Sequence, residues 1–552
     1  MTVTLTINGQ TTPATPGLSL FDHAESLGID VPTSCRKQGK CKECMVEVVE
    51  GMEALSPLAE PEKHLKGNFR LSCQTFVTAA AGQLRCHTMR RGHMRIDREA
   101  LGLPGEGGAF KLDPAVTRDG DRILIDGIEV DRSTGPIHGL AMDLGTTTVV
   151  LRLIDLETGE LIADTSFENP QRFGGAEVMS RIAYDTDHPG RLLMRTLAGY
   201  LTHAIEKLPV DPKTIYEMVV AGNSTMRDLF FWQNVHSIGQ NPYRSITEIE
   251  MAEGKRATTS LVQTGRHSLL PIHPNARVYG APVISGHVGA DAAVGMLAVS
   301  LAREDRLIAV MDIGTNTELI VGNRHKILAA SCPAGPAFEG GAIACGMPAL
   351  DGAIEEVAID DDGDFRLRVI GDAKPEGICG SGLVDTLSEL LRTERMNAMG
   401  RFEDDLKRIT IYDGKAHRDD ADIYLLESDV NELAQAKGAN VAGLHVVFAS
   451  YGIDFDDIDV FYLAGGFGRH LNVEASKRIG LVPNLEGRKF VQAGNIAIEG
   501  ATIALLSKSK RQELEELVRR VQHCRLETHP SFFDFFVEGC QFKPMELIPC
   551  ER

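Results

Sequence analysis

The chain is short of positive charge: 57 Lys and Arg stand against 77 Asp and Glu, a net −20 at neutral pH. That balance offers no phosphate neutralisation, which excludes nucleic acid as the expected partner and disfavours an anionic membrane surface. Long apolar runs are also missing. None approaches the roughly twenty residues that span a bilayer, and the opening MTVTLTINGQ has no signal-peptide pattern. A cytoplasmic protein without membrane contact is expected. No G-x4-G-K-[ST] occurs anywhere, so a Walker-type phosphate loop is excluded.

What is present is enough apolar residue for several cores. Hydrophobic residues make up 43% of the 552-residue chain and charged residues 24%, the proportions of a globular protein. Its length predicts roughly two to four domains. The 11 cysteines are unevenly spread. Cys35, Cys41, Cys44 and Cys73 crowd into the first hundred residues, which in a cytosolic chain points to metal or redox chemistry before disulfides.

Around those cysteines, residues 3–9 (VTLTING) alternate like an edge strand. Residues 18–28 (LSLFDHAESLG) carry helical spacing and a Gly stop, and residues 45–51 (MVEVVEG) alternate again. The cysteine spacing is C-x5-C-x2-C, with Cys73 after a further 28 residues. This resembles the vertebrate and bacterial branch of the plant-type [2Fe–2S] ferredoxins. Four thiolates must converge on two irons and screen the cluster from water. A loop carrying Gly39 can bend round it and aim backbone N–H groups at its sulfurs. The other reading of four thiols is a structural zinc knuckle, but such sites usually use two C-x2-C units and only one exists here. Cys86, just beyond, is expected to be a free thiol.

From Cys86 to Pro136 the chain is rich in Gly, Arg and Asp without sustained periodicity. CHTMRRGHMR is a basic patch in an acidic protein, expected to be a solvated connector. DRILIDGIEVD predicts a hairpin turning at Asp126-Gly127.

The longest feature is a duplication. Residues 138–148 read HGLAMDLGTTT and residues 307–317 read LIAVMDIGTNT. Each is an apolar run halted by Asp-x-Gly-Thr, a buried strand opening into a polar turn. Two alternating strands follow each motif, joined at Glu157-Thr158-Gly159-Glu160 in the first and at Gly322-Asn323 in the second. The turns present N–H and hydroxyl donors suited to phosphate oxygens, from Gly145, Thr146 and Thr147 and from Gly314, Thr315 and Asn316. Asp143 and Asp312, ending the strands, are placed to hold a hydrated Mg2+ ion. A third strand, VFYLAGGFG, runs into Gly465, Gly466 and Gly468, where missing side chains let a flat base approach the backbone.

These three motifs, in this order, resemble the phosphate-1, phosphate-2 and adenosine motifs of the actin/Hsp70/sugar-kinase ATPases. The resemblance covers residues 139–505 and implies two RNase-H-like α/β lobes binding ATP. VVAGNSTM, VISGHVGADAAVGMLA, CPAGPAFEGGAIACGM, GICGSGLVDTLSELL and AGNIAIEGA extend it. Small residues in VGADAAVGMLA and at Gly380-Ser381-Gly382 predict two closely crossing helices at the hinge between lobes. Asp291, at that crossing, is a candidate to orient the attacking water, the alternative being a helix-cap or surface role. Glu339 is a weaker candidate for the same task. At the end come a charged helix (KRQELEELVRRVQ) and FFDFFVEG, expected to be core; Cys524, Cys540 and Cys550 are too far apart for a cluster motif.

A ferredoxin fused to such an ATPase resembles the reductive activators of corrinoid proteins. AGN-[ST]-TM, SGxVGAD, AGPAFEGGAI and GICGSGL all look like that family's segments. The resemblance implies an α/β multidomain chain. A β-grasp [2Fe–2S] domain (1–88) and a linker (89–137) precede ATPase lobes 1 (138–300) and 2 with the C-terminal tail (301–552). It implies ATP-dependent one-electron reduction of a cob(II)amide protein, with an upstream electron donor, in a methyl-transfer system. A homodimer is among its implied assemblies. Yet the roughly fifty residues between Cys86 and the first phosphate motif are too few for the extra domain linked to dimer formation. Two rivals remain open: a small-molecule kinase with a regulatory ferredoxin domain, and an ATP-gated electron carrier for another low-potential enzyme.

Overall fold

Alternating burial and tight turns build the first domain. In a computed structural model, which describes residues 3–79, 82–89, 112–414, 416, 422–466 and 470–546, strand β1 (Val3–Ile7) buries Val3, Leu5 and Ile7 and pairs with β2 (Gln10–Ala14). Helix α1 (Leu20–Ser26) begins at a reciprocal cap. Asp22 N donates to Ser19 Oγ at 3.1 Å, and Ser19 N donates to Asp22 Oδ2 at 3.2 Å. With β3 (Met45–Glu50), β4 (Phe69–Leu71) and β5 (Gly82–Thr88), the sheet order is β2-β1-β5-β3-β4, a β-grasp arrangement in which β1 and β5 run parallel. The edge strand expected at residues 3–9 is therefore internal. The edge belongs to β2, where Pro13 lacks the N–H an inner strand would need.

Part of the expected linker is folded. Strands β6 (Val116–Asp119), β7 (Arg122–Ile125) and β8 (Ile128–Arg132) form an antiparallel meander. The second turn is the expected Asp126-Gly127, both at positive φ (48° and 81°), as a two-residue hairpin requires. The basic patch beyond Met89, Gly468 and Cys550 lie outside the described residues.

Next come β9 (His138–Leu144), β10 (Thr148–Asp155), β11 (Leu161–Glu168), α2 (Val178–Asp187), α3 (Leu192–Glu206), β12 (Ile215–Gly222) and α4 (Ser224–Phe230). They are followed by α5 (Ile246–Ala252), β13 (Leu261–Thr264), α6 (Gly265–Ser268) and β14 (Arg277–Gly280). The sheet order is β11-β10-β9-β12-β14-β13. These elements and the ferredoxin-type domain form one compact unit, ending at Ala281.

Among the described residues the second unit runs from Pro282 onward. It contains α7 (Ala290–Ala298), β15 (Ile308–Asp312), β16 (Thr317–Gly322), β17 (Ile327–Cys332), β18 (Ala353–Ile359), β19 (Phe365–Val369), β20 (Gly377–Ile378) and α8 (Gly380–Arg392). There follow β21 (Arg408–Tyr412), β22 (Ile423–Leu426), α9 (Glu427–Tyr451), β23 (Val460–Ala464), α10 (Val473–Ile479) and β24 (Phe490–Gly494). The chain closes with α11 (Ile496–Leu506), α12 (Lys508–Val518), β25 (Val521–His523) and α13 (Phe532–Gly539). Its main sheet has the order β24-β23-β15-β16-β17-β25.

The duplication is visible in the connectivity. Five strands of each main sheet, β11-β10-β9-β12-β14 and β17-β16-β15-β23-β24, share one order. In both, the first three are antiparallel and the remaining pairings parallel. The inner strands are buried on both faces, so they read as continuous apolar runs.

One packing expectation is corrected. Helix α7 (VGADAAVGMLA) crosses α11, whereas α8, with its Gly380-Ser381-Gly382 start, packs on β18 and α10. Gly295 and Gly500 permit the close approach. A Cβ on Gly500 would run into the backbone carbonyl of Val294, and one on Gly295 would lie 2.9 Å from Ile496 Cδ1. Both helices lie in the second unit. Within α13, Phe535 is buried but Phe533 is 71% exposed, so the aromatic tail is core only in part. Among the described residues no helix is long and apolar enough to cross a membrane.

Candidate functional site

The cysteine loop is wound so that its N–H groups face the sulfurs. Arg36, Lys37, Gly39 and Lys42 all take positive φ (53°, 64°, 67° and 66°), and the N–H groups that follow them at Gln38, Lys40 and Glu43 turn inward as an anion nest. The N–H groups of Cys41, Lys40 and Gln38 bond the sulfur of Cys35, those of Glu43 and Ser34 bond Cys41, and that of Gly39 bonds Cys73. Gly39 is needed twice over, because a Cβ there would also lie 2.9 Å from Gln74 Cδ and 3.0 Å from Pro61 Cβ.

The thiols fall into two pairs. Cys44 Sγ lies 3.2 Å from Cys73 Sγ, and Cys35 is hydrogen-bonded to Cys41. The Cys44 contact is the main reason the Cys73 thiol drops to about 6, and the same contact, with burial, pushes Cys44 upward. Burial alone would raise Cys35, but its three backbone N–H contacts hold it below the ordinary thiol value; in Cys41 burial prevails and the thiol rises. Among the described residues no three Cys, His, Asp or Glu side chains surround a single ion. Two thiols for each of two irons, with N–H donors at the sulfurs, is the donor set a [2Fe–2S] cluster takes. Cys86 is buried in β5, with its thiol pushed up to about 12 by burial.

This loop rests on α3. Glu43 accepts from Ser34 Oγ at 2.7 Å, and His203 Nε2 lies 3.1 Å from its other oxygen. Burial raises the Glu43 carboxyl, but these two contacts outweigh it and hold the group below the ordinary carboxylate value. Gly199 makes the room, since a Cβ there would lie 2.7 Å from Glu43 Cγ.

The loop of Gly145, Thr146 and Thr147 is fixed through its carbonyls. Asn169 Nδ2 donates to Gly145 O at 2.8 Å, Arg181 Nη2 to Thr146 O at 2.6 Å, and Asn169 N to Thr147 O at 2.7 Å. Asn223 Nδ2 donates to Thr146 Oγ1 at 2.9 Å, and Gly145 N closes the turn onto Thr148 O at 3.0 Å. Asp143 stands opposite Val150 in the β9–β10 pairing.

In the second unit, Asp312 ends β15 opposite Glu318 on β16, and Glu318 in turn stands opposite Ser331. Ser331 Oγ lies 3.3 Å from Glu318 Oε1. Burial first, then the charges of Asp291 and Asp312, drive the Glu318 carboxyl well above its usual range. Three acidic groups thus gather at the end of β15, with Asp291 in the first turn of α7. Thr315 Oγ1 donates to Glu339, and Gly335 N to Thr315 O at 2.9 Å, while Gly314 leads into Asn316 at the turn. The β23 end joins this loop: Ile313 N donates to Ala464 O at 3.0 Å. Gly465, at φ 108°, leaves no room for a Cβ against Ile313 O, while the Cβ direction of Gly466 is open. The second unit thus brings together Asp291, Asp312, Gly314, Thr315, Asn316, Gly465 and Gly466, and the first holds Asp143, Gly145, Thr146 and Thr147.

Comparison with known families covers nearly the whole chain. Residues 3–78 match the 2Fe-2S iron-sulfur cluster binding domain, residues 138–304 the RACo middle region, and residues 306–551 the C-terminal domain of RACo, the ASKHA domain. The chain belongs to the RACo family. It is 29% identical to the corrinoid activation enzyme RamQ of Eubacterium limosum, over 94% of this chain and 95% of that protein. A [Co(II) methylated amine-specific corrinoid protein] reductase of Methanosarcina barkeri is 24% identical over 73% of this chain and 76% of its own. The solved structure of a reductive activator for corrinoid, iron-sulfur protein superposes with a TM-score of 0.72 at 27% identity. That match covers 99% of this chain and 100% of that one.

For a RACo-family chain, the residues that sequence reading misses are those acting on backbone. Asn169 and Arg181 carry no motif of their own. Asn223 lies inside the AGNST segment, where its amide both caps α4 and holds Thr146. Glu318 is invisible until the register sets it opposite Asp312.

Proposed function

We propose that this chain uses ATP to drive one-electron reduction of a corrinoid protein, returning cob(II)amide to cob(I)amide in a methyl-transfer system. The observation that carries the reading is the two-by-two thiol site in the same chain as a duplicated phosphate-loop fold. Held by Cys35, Cys41, Cys44 and Cys73, a [2Fe–2S] cluster supplies one low-potential electron, near about −400 mV in plant-type ferredoxins. Cobalt(II) corrinoids need a more reducing donor still, so the transfer is unfavourable unless coupled.

The coupled reaction is hydrolysis of ATP to ADP and phosphate, with no group passed to the corrinoid. Gly145, Thr146, Thr147, Gly314, Thr315 and Asn316 bind the phosphates, and Gly465, Gly466 and Gly468 are the glycines of the adenosine motif. Asp143 and Asp312 are the carboxylates for hydrated Mg2+, and Asp291 orients the attacking water. A neutral Glu318 beside Asp312 and Asp291 lowers the repulsion among them. The net charge of −20 and the thiol-rich cluster loop suit a cytoplasmic protein that takes its electron from an upstream donor and docks a protein rather than nucleic acid or membrane.

The test mixes cluster-loaded protein, an electron donor and a cob(II)amide protein, with and without ATP. The cob(I) absorbance is expected to rise only with ATP. A flat trace in the presence of ATP and donor rejects the reading. A phosphorylated metabolite formed in proportion to ATP consumed supports a kinase in its place.

A further inference from the structure

One unbroken stretch, residues 169–203, holds the first phosphate loop at one end and the cluster loop at the other. Asn169 and Arg181, both fully buried, take the carbonyls of Gly145, Thr146 and Thr147. One turn beyond Arg181, the Tyr184 hydroxyl donates to His64 O of the ferredoxin-type domain at 2.8 Å. Just after Asn169, the Arg172 guanidinium lies 3.5 Å from Glu47 and 5.8 Å from the centre of the Phe69 ring. The Phe173 ring meets His64 edge-on at 5.6 Å.

The stretch is also closely packed. Gly174 is pressed on α3 so closely that a Cβ would lie 2.7 Å from Leu193 Cδ2. Helix α3 then carries Gly199 and His203 to Glu43, which stands in sequence between Cys41 and Cys44. Turning the peptide planes of Gly145 to Thr147 toward a phosphate displaces the carbonyls that Asn169 and Arg181 hold. In close-packed surroundings that displacement passes to neighbours instead of being absorbed.

We infer that residues 169–203 are a positioning link: nucleotide at the first phosphate loop shifts the seating of the cluster loop, and the oxidation state of the cluster shifts nucleotide affinity. The inference rests on the proposal that Gly145, Thr146 and Thr147 bind nucleotide. The two effects are one coupling free energy and must be equal. Glu43 gives the coupling a physical form, because a carboxylate moved relative to the cluster changes the cost of adding an electron there.

The test uses the full chain, cluster-loaded and anaerobic, with a non-hydrolysable ATP analogue. Analogue affinity is measured by calorimetry with the cluster oxidised and reduced, and the cluster potential by spectroelectrochemical titration with and without analogue. We expect affinities differing by about fivefold or more, and a tenfold ratio corresponds to a shift of about 59 mV for one electron. Tyr184→Phe removes only the hydroxyl bonded to His64 O, and Gly199→Leu wedges α3 from Glu43. Both are expected to keep the cluster absorbance and to bind analogue within about twofold of the parent when oxidised, while the ratio between oxidation states falls toward one.

Equal affinities in the two states of the parent protein overturn the link and leave the nucleotide site standing. A ratio that survives in both variants overturns the path through residues 169–203. Failure of the parent to bind the analogue at all removes the nucleotide-site proposal itself, and the link with it.

Discussion

Cys44 and Cys73 are 29 residues apart in sequence, yet their sulfurs stand 3.2 Å from one another. The register of β3 on β4 brings this about. Met45 pairs with Leu71, so the residue before one strand and the turn after the other fall side by side. Cys44→Ser or Cys73→Ser is therefore expected to cost the cluster, read as loss of bound iron and of visible absorbance. Binding of an ATP analogue should persist, because neither residue touches the loops proposed to hold its phosphates. Loss of both properties in either variant would show that the modules are not separable in this way.

Beneath Cys73 lies a buried ion pair. Arg70 Nε donates to Glu62 Oε1 at 2.9 Å, and the same carboxylate accepts from Leu71 N at 3.0 Å and Thr75 Oγ1 at 2.9 Å. Burial works against the Glu62 charge, but Arg70 and the backbone N–H groups of Ala59 and Leu71 outweigh it, so its carboxyl is lowered. A lowered folded value means the contribution is complete above the unfolded glutamate value of about 4.3 and is lost as pH falls through the lowered one. Arg70→Met leaves a buried charge unpaired, and about 3–5 kcal/mol of destabilisation is expected. Thermal melts at pH 7 and pH 4 check both statements: the parent should soften in acid, and the variant should start lower and change less.

How far the sequence reaches depends on how narrowly chemistry limits the residue. Few residues other than Cys hold a [2Fe–2S] cluster, so Cys35, Cys41, Cys44 and Cys73 stand out, and the short gaps between the first three leave one kind of loop. The strand–turn–strand echo after Asp143 and Asp312 was equally legible, because buried strands need apolar runs and the turns need Gly. Helix partners were not legible. A small-residue stripe says that something approaches closely, without saying what, and so it does not distinguish Gly380-Ser381-Gly382 from Gly500, which supplies the contact. Asn169 and Arg181 act on carbonyls that every residue possesses, so no pattern marks them. Glu318 needed the strand register, since two apolar runs with an acid between them do not say which carboxylate it will face.

Glu318 gives the opposite pH dependence from Glu62. Burial, then Asp291 and Asp312, raise its carboxyl, so the folded chain holds a proton that the unfolded chain releases. Its contribution is present below the unfolded value of about 4.3 and declines as pH rises toward the raised folded one. In protein free of metal and nucleotide, Glu318→Gln is expected to raise the apparent melting temperature at pH 8 more than at pH 5. Asp312→Asn should abolish ATP turnover while leaving the cluster absorbance unchanged. A Glu318→Gln protein less stable at pH 8 than its parent would mean the group is ionised in the fold.

The crossing of α7 and α11 gives a test that involves no charge. Gly500 lies within α11, and the atom that an added methyl would meet is the backbone carbonyl of Val294, not the end of a flexible side chain. No rotamer change can relieve that contact, so the helices must separate. On the other side of the crossing, Gly295 faces Ile496 Cδ1, a side-chain end that can turn away. Gly500→Ala is accordingly expected to destabilise the second unit by about 1–3 kcal/mol, as overpacking of a core does, despite the better helix propensity of Ala. Gly295→Ala should cost less. Asp291 sits one turn from Gly295 on α7, so parting the helices also displaces it from Asp312 and Glu318. Slower ATP turnover in Gly500→Ala, with Gly295→Ala close to the parent, is the expected order in a side-by-side measurement of melting and turnover. Equal behaviour of the two variants would show that the crossing has more slack than its geometry allows.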